Sequence, residues 1–234
     1  MVLVQKELYK AYIGEDPTWK PNEHTVAYRP LTATTTVNDQ SGNSYNLAQT
    51  GGSFTTLWDV SCFYNGWSTT GYLNLTSASK IPTWSADRTI SLWVNPTGYS
   101  SSYSRYIFCY WKDTGTNQLF AHIHTNKLYR ASNYQSVISW KTMTANTRAL
   151  LTMVVSGGNL SFYVDGVSAS STTLAVTTQA ISSSYPLRLM RMNTSSSANY
   201  QTRGYLSEVI IEDKAWTATE IANYFNDNKA KYWL

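Results

Sequence analysis

Apolar and polar residues alternate along most of this chain in short runs that end at turn residues. In RTISLWVNP (88–96), Ile90, Leu92 and Val94 alternate with Thr89, Ser91 and Trp93. This is the period of two expected of a strand with one face on a core. Ten further runs carry the same β signal: 24–31, 62–66, 71–75, 105–111, 117–126, 127–132, 148–157, 159–167, 186–193 and 204–213. Each is rich in β-branched or aromatic residues and stops at Gly, Asn, Asp, Pro or Ser. In VSGGNLSFYVDG, Gly157 and Gly158 supply the positive φ angles of a tight hairpin turn. One helix is predicted, starting near Thr217. Thr217 and Glu220 have capping-box spacing, and Ile221, Tyr224 and Phe225 fall on one helical stripe. That helix is expected to cover an open end or edge of the β core. The pattern predicts an all-β, antiparallel two-sheet jelly-roll sandwich with one short C-terminal helix.

Composition agrees with strands joined by polar turns. The 234 residues suit one sandwich domain over 22–234, preceded by a leader or attachment segment over 1–21. Charged residues make up only 14%, while Trp and Tyr number 9 and 18. The net charge of +4 is spread along the chain without a block of Lys or Arg, which argues against nucleic acid. No apolar run is long enough for a membrane-spanning helix, and the N-terminus MVLVQKELYKAYIGEDP has no signal-peptide pattern. Cys62 and Cys109 lie in strand-like runs and read as buried free thiols, with pairing left open.

The order of motifs carries a resemblance. VAYRPL and VNDQSGNSYNL are followed by CFYNGWSTTGYLNL, RTISLWVNP, LLTMVVSGGNLSFYVDGV and finally LRLMRMN with GYLSEVIIEDKAWTATEIANYF. Over about residues 25–226 this series resembles the laminin-G-like, concanavalin-A-like lectin and glucanase jelly rolls. DQSGN (39–43) looks like the family's early turn, LSFYVDGV like its hairpin strand, and SEVIIEDKAWTATEI like its closing strand and helix. One departure is Met190, which stands where the family often has a glycine. The opening QKELYKAYIGE is similar to leaders of bacteriophage tail and fibre proteins. That likeness implies a displayed domain attached to other virion proteins through residues 1–21, on a virion or extracellular surface.

The fold implied by the resemblance hosts both lectins and glycosidases, so individual residues must decide the chemistry. A retaining glycosidase needs two carboxyl groups about 5 Å apart. Glu208 and Glu212 share a strand face, but four strand residues separate them by about 13 Å. With Val209 and Ile211 inward, both are expected to face solvent and to play no catalytic part. Asp39 and Asp165 read as turn residues. Calcium remains open at Asp113 in WKDTGTN, but one Asp does not make a hard-cation site, and neither a cofactor nor a metal site is assigned. His122 and His124 share a strand face but lack a third zinc ligand nearby in sequence.

The loops TGYSSSYSRY (97–106) and NTSSSANYQTR (193–203) hold the better chemistry. Tyr offers a rigid aromatic face with one hydroxyl, and Ser adapts its hydrogen bonds. Tyr99, Tyr103 and Tyr200 are the candidate sugar platforms, with Arg105 and Asn199 as polar partners and Trp67 as a further platform. The expectation is a non-enzymatic recognition module whose partner is a glycan or cell-surface polymer. Two alternatives stay open: a ligand-free structural virion protein that uses those loops for homo-oligomer contacts, and a glycoside hydrolase or lyase with an unusual site.

Overall fold

The alternation in Arg88–Pro96 becomes the middle of the first of two antiparallel sheets in a computed structural model of the chain. The structure describes residues 20–30, 36–58, 60–66, 71–83, 85–100, 102–110, 119–132, 135–169, 174–175, 181, 186–192 and 200–232. The leader over 1–21 therefore lies outside the described residues, apart from its last two.

In spatial order the first sheet runs Val167–Ser168, Asn159–Val164, Ala149–Ser156, Arg88–Pro96, Gly204–Glu212, Val60–Asn65 and Ser53–Leu57. Thr25–Pro30 also pairs with Gly204–Glu212, and Leu174–Ala175 with Asn159–Val164. The second sheet runs Gln135–Thr142, Lys127–Ser132, Leu119–His124, Arg105–Tyr110, Leu187–Leu189, Tyr72–Leu75, Leu47–Thr50 and Thr36–Val37. Ile90, Leu92 and Val94 point between the sheets and meet Phe63, Leu73, Phe108, Leu151 and Val209 in the main core. Each such side chain contributes roughly 1.5–3 kcal/mol by leaving water.

The hairpin forms where Gly157 and Gly158 sit, at φ of 54° and 77°. Gly204 has a stricter reason to be glycine: a Cβ there would lie 2.1 Å from the Asn95 carbonyl oxygen. Met190, in place of the family's glycine, keeps the left-handed backbone all the same, with φ of 68°. Its side chain is fully buried, its N–H donates to Ile107 O at 2.7 Å, and its carbonyl accepts from Thr202 N–H at 2.9 Å. Packing and two hydrogen bonds thus hold a conformation that costs on the order of 1 kcal/mol.

Helix α1 (Ala218–Asn228) begins with the expected capping box. The Thr217 side chain accepts from Glu220 N–H, and the Glu220 carboxylate accepts from Thr217 N–H. Its position differs from the expectation. It reaches the edge strand Val167–Ser168 but lies mainly across the outer face of the first sheet, because Trp93, Leu150, Val154 and Ile210 turn apolar side chains outward there. Ile221 and Tyr224 pack into that cluster, and Phe225 stacks on Trp93 at 5.9 Å.

Candidate functional site: the outer face of the second sheet

The helix decides the fate of the two carboxylates. Glu208 and Glu212 do point out of the sandwich, but they do not reach solvent, since each is only 2% exposed. This corrects the expectation of a solvent-facing pair. Tyr224 OH donates to Glu208, and Lys231 Nζ approaches it at 3.6 Å. Glu212 accepts from Trp216 Nε1, and from Asn22 Nδ2 at 2.9 Å. A buried carboxylate that lost these donors would carry a large desolvation penalty, so the two act as anchors for the helix and the segment leading into it.

The second sheet turns a different surface outward. Register places Arg188 between Asn74 and Cys109, then Phe120 across from Cys109, and in the neighbouring row Tyr106 across from His122. Tyr106, Cys109 and Phe120 form a small outer cluster, with Met192 and Tyr200 packed against it. His122 stacks on Phe120 at 5.5 Å and lies 5.0 Å from Tyr106. Burial among these rings, and then the neighbouring His124, lower its basicity to a pKa of about 4. Beside this cluster the Tyr72 ring meets two guanidinium groups, Arg188 at 4.9 Å and Arg191 at 4.8 Å from its centroid. Such contacts contribute about 0.5–2 kcal/mol each, more as water is removed.

The first Ser/Tyr-rich loop meets the described end of the second, Tyr200–Arg203, beside this face. Thr97 N–H donates to Arg203 O at 2.9 Å, and Ser100 Oγ accepts from the N–H groups of Ser102 and Tyr103, which shapes the first loop. Tyr103 and Tyr200, ninety-seven positions apart in the chain, meet edge to face at 5.6 Å with an interplanar angle of 85°. Tyr103 is 39% exposed and Tyr200 half-buried. The other candidates are placed differently. Tyr99 is half-buried against the main core, its hydroxyl donates to Met143 O, and burial raises its pKa to about 12. Arg105 pairs with the core residue Ile123 and is buried, with Nη1 donating to Gln201 O at 3.5 Å. Burial and the charge of Arg203 lower its basicity. Asn199 and Trp67 lie outside the described residues, as does Asp113.

Asp39 accepts from Ser41 and Tyr45 N–H groups, and Asp165 from Leu150 N–H, so both serve turns. Neither cysteine is in a disulfide and both are buried, Cys62 in the first sheet and Cys109 in the second, with burial raising the Cys62 thiol to about 11. Among the described residues no three His, Cys, Asp or Glu side chains converge as a metal site. Sequence reasoning missed Tyr72, Arg188 and Arg191. A signal was present in the charge pattern: none of the second sheet's strands contains Asp or Glu, and they carry Arg105, Lys127, Arg130, Lys141 and Arg188.

Two antiparallel sheets, a capping C-terminal helix and an aromatic, cationic outer face define a β-sandwich of the lectin and glucanase type. A laminin-G family model, described as the concanavalin A-like lectin/glucanases superfamily, matches residues 67–222, and the chain belongs to that superfamily. No curated protein sequence matches the chain. Among solved structures it is similar to the binding domain of Paraclostridial Mosquitocidal Protein 1, with TM-score 0.68 and 14% identity, over 87% of this chain and 52% of that one. It is similar to domain 4 of an extracellular arabinanase from Geobacillus stearothermophilus, in complex with arabinotriose. There the TM-score is 0.64 at 16% identity, over 86% of this chain and 97% of that one. A third likeness is to botulinum neurotoxin type C, whose cell entry depends on interaction with two ganglioside molecules. Its TM-score is 0.61 at 16% identity, over 87% of this chain and 51% of that one. The chain thus spans about half the length of the two toxin chains and nearly all of the arabinanase domain.

Proposed function

We propose that this domain is a non-enzymatic glycan-recognition module that binds through the outer face of the second sheet. The observation that carries the reading is the Tyr103–Tyr200 pair, partly exposed, with Tyr200 packed on the Tyr106, Cys109 and Phe120 cluster. A sugar ring can lay its C–H groups on such an aromatic face while its hydroxyls meet neighbouring polar groups. Support comes from two fold relatives, one in complex with arabinotriose and one whose cell entry depends on two ganglioside molecules. The non-enzymatic part is supported by the sealed and partnered state of Glu208 and Glu212. Binding at each site is expected to be weak and to gain strength from several copies held together. Residues 1–21 are assigned the attachment role, joining the domain to a virion or other surface assembly, on the strength of the leader's resemblance.

A glycan array probed with the purified protein, with and without calcium, tests the reading. Reproducible binding that is lost on Tyr103→Ala and Tyr200→Ala is the expected result. A blank array, or binding untouched by both substitutions, would overturn it. Turnover of any bound glycan would overturn the non-enzymatic assignment.

A further inference from the structure

Charge on the second sheet is one-sided. Its strands hold five Lys and Arg and no Asp or Glu, whereas the strands of the first sheet hold Arg29, Arg88, Glu208 and Glu212. Of these five, Arg188 is half-buried and Lys127 exposed, and cations gathered on one face concentrate counter-charge from solution.

The arrangement at Tyr72 is more specific than a general positive field. Two guanidinium groups sit within 5 Å of one ring centroid, on a face that also presents Asn74. Arg188 Nε and Asn74 Oδ1 are shielded from solvent and have no hydrogen-bond partner among the described residues. Burial lowers the basicity of Arg191, Tyr72 offsets part of this, and the nearby charge of Arg188 lowers it further. Bringing an anion here would relieve that repulsion. A guanidinium stacked on a ring directs its N–H donors from its edge, the geometry that grips a carboxylate with two parallel bonds. The nearby Tyr103–Tyr200 pair offers apolar stacking surface for the rest of a sugar chain, and Lys127 lies exposed across from His124 on the same sheet.

We infer that the ligand is an acidic glycan, whose sugar carboxylates are held by Arg188 and Arg191 beside Tyr72 while neighbouring sugars rest on Tyr103 and Tyr200. This inference rests on the glycan-binding reading and adds the charge class of the ligand and the residues that select it. Neutral glycans use the tyrosines alone and bind more weakly. Charge attraction speeds encounter and weakens with salt, whereas the fork geometry chooses carboxylate over other groups.

The test is calorimetric titration with hexagalacturonate and with its carboxyl-reduced, neutral counterpart, at low and at physiological salt. The wild-type protein should prefer the acidic oligomer by about tenfold or more, with the gap narrowing as salt rises. Arg188→Gln with Arg191→Gln should erase the preference and keep the neutral binding. Should that double variant fail to fold, Arg188→Lys with Arg191→Lys keeps charge and most of the packing. It should retain the salt dependence and lose part of the preference. Equal binding of both oligomers, still lost on Tyr103→Ala and Tyr200→Ala, would refute the acidic-glycan inference and leave the glycan reading standing. Binding of neither oligomer, with a blank array, would remove both. An oligonucleotide of equal charge that competes as well as hexagalacturonate would overturn the glycan assignment in favour of nucleic acid.

Discussion

The two sheets share one core and turn opposite kinds of surface away from it. The outer face of the first sheet carries Trp93, Leu150, Val154 and Ile210 around two carboxylates, and helix α1 closes over it. The outer face of the second sheet carries rings, guanidinium groups and imidazoles, with the segment Tyr200–Gln201 bridging to Tyr106 and Arg191. Acidic residues are thus used for architecture on one side, and cations and aromatics are gathered on the other. In a fold that hosts both lectins and glycosidases, carboxylates draw attention first. Here their burial makes them structural, and the side without them is the one proposed to carry recognition.

The largest expected effect breaks the first face. Trp93 is fully buried, stacks on Tyr232 at 4.1 Å and donates through Nε1 to Tyr224 OH at 3.2 Å. Trp93→Ala should cost about 3–5 kcal/mol in denaturant unfolding, because both the ring's burial and the helix contact are lost. Glu208→Ala should cost about 3 kcal/mol by stranding Tyr224 OH and Lys231. At a temperature where it stays folded, that variant should bind glycan as the wild type does. A loss of binding there would break the division of labour between the faces.

Acid should act through the second face. His122 is held neutral down to about pH 4, while the unfolded chain protonates near the ordinary value of 6.5. The unfolded state therefore binds a proton that the native state refuses. Stability should be full above about 6.5 and fall as pH drops from there towards 4, by about 2–3 kcal/mol in total. Thermal melts of the wild type and His122→Phe across that window check it, and the variant should lose this part of the acid sensitivity. Tyr200→Ala should weaken glycan binding about tenfold with a smaller effect on stability. The smallest effect is at the cap, where Thr217→Ala should cost about 1 kcal/mol and leave binding unchanged.

Much of this was legible in the sequence, and the reasons for the gaps are physical. Strands with clean alternation, such as Arg88–Pro96, and the paired cap of Thr217 and Glu220 declare themselves locally. Leu47–Thr50 and Ser53–Leu57 do not, because Ser, Thr and Gln break their apolar pattern; the first is placed by pairing with Tyr72–Leu75 and the second by a hairpin with Val60–Asn65. Period two correctly turned Glu208 and Glu212 out of the core. It could not register a helix from a few residues later returning to bury them. The +4 charge also reads as evenly spread in one dimension, yet pairing of Tyr72–Leu75 with Leu187–Leu189 brings Tyr72 within reach of Arg188 and Arg191. Of the six candidate residues, Tyr103 and Tyr200 meet, Tyr99 and Arg105 turn inward, and Asn199 and Trp67 lie outside the described residues.

The most direct measurement is amide chemical-shift mapping of the isotopically labelled protein during titration with hexagalacturonate. Shifts should cluster at Tyr72–Leu75, Arg188–Met192 and Tyr200–Arg203, with helix α1 silent. Shifts centred on α1 and Glu208, or none at a saturating concentration, would contradict the proposed binding face.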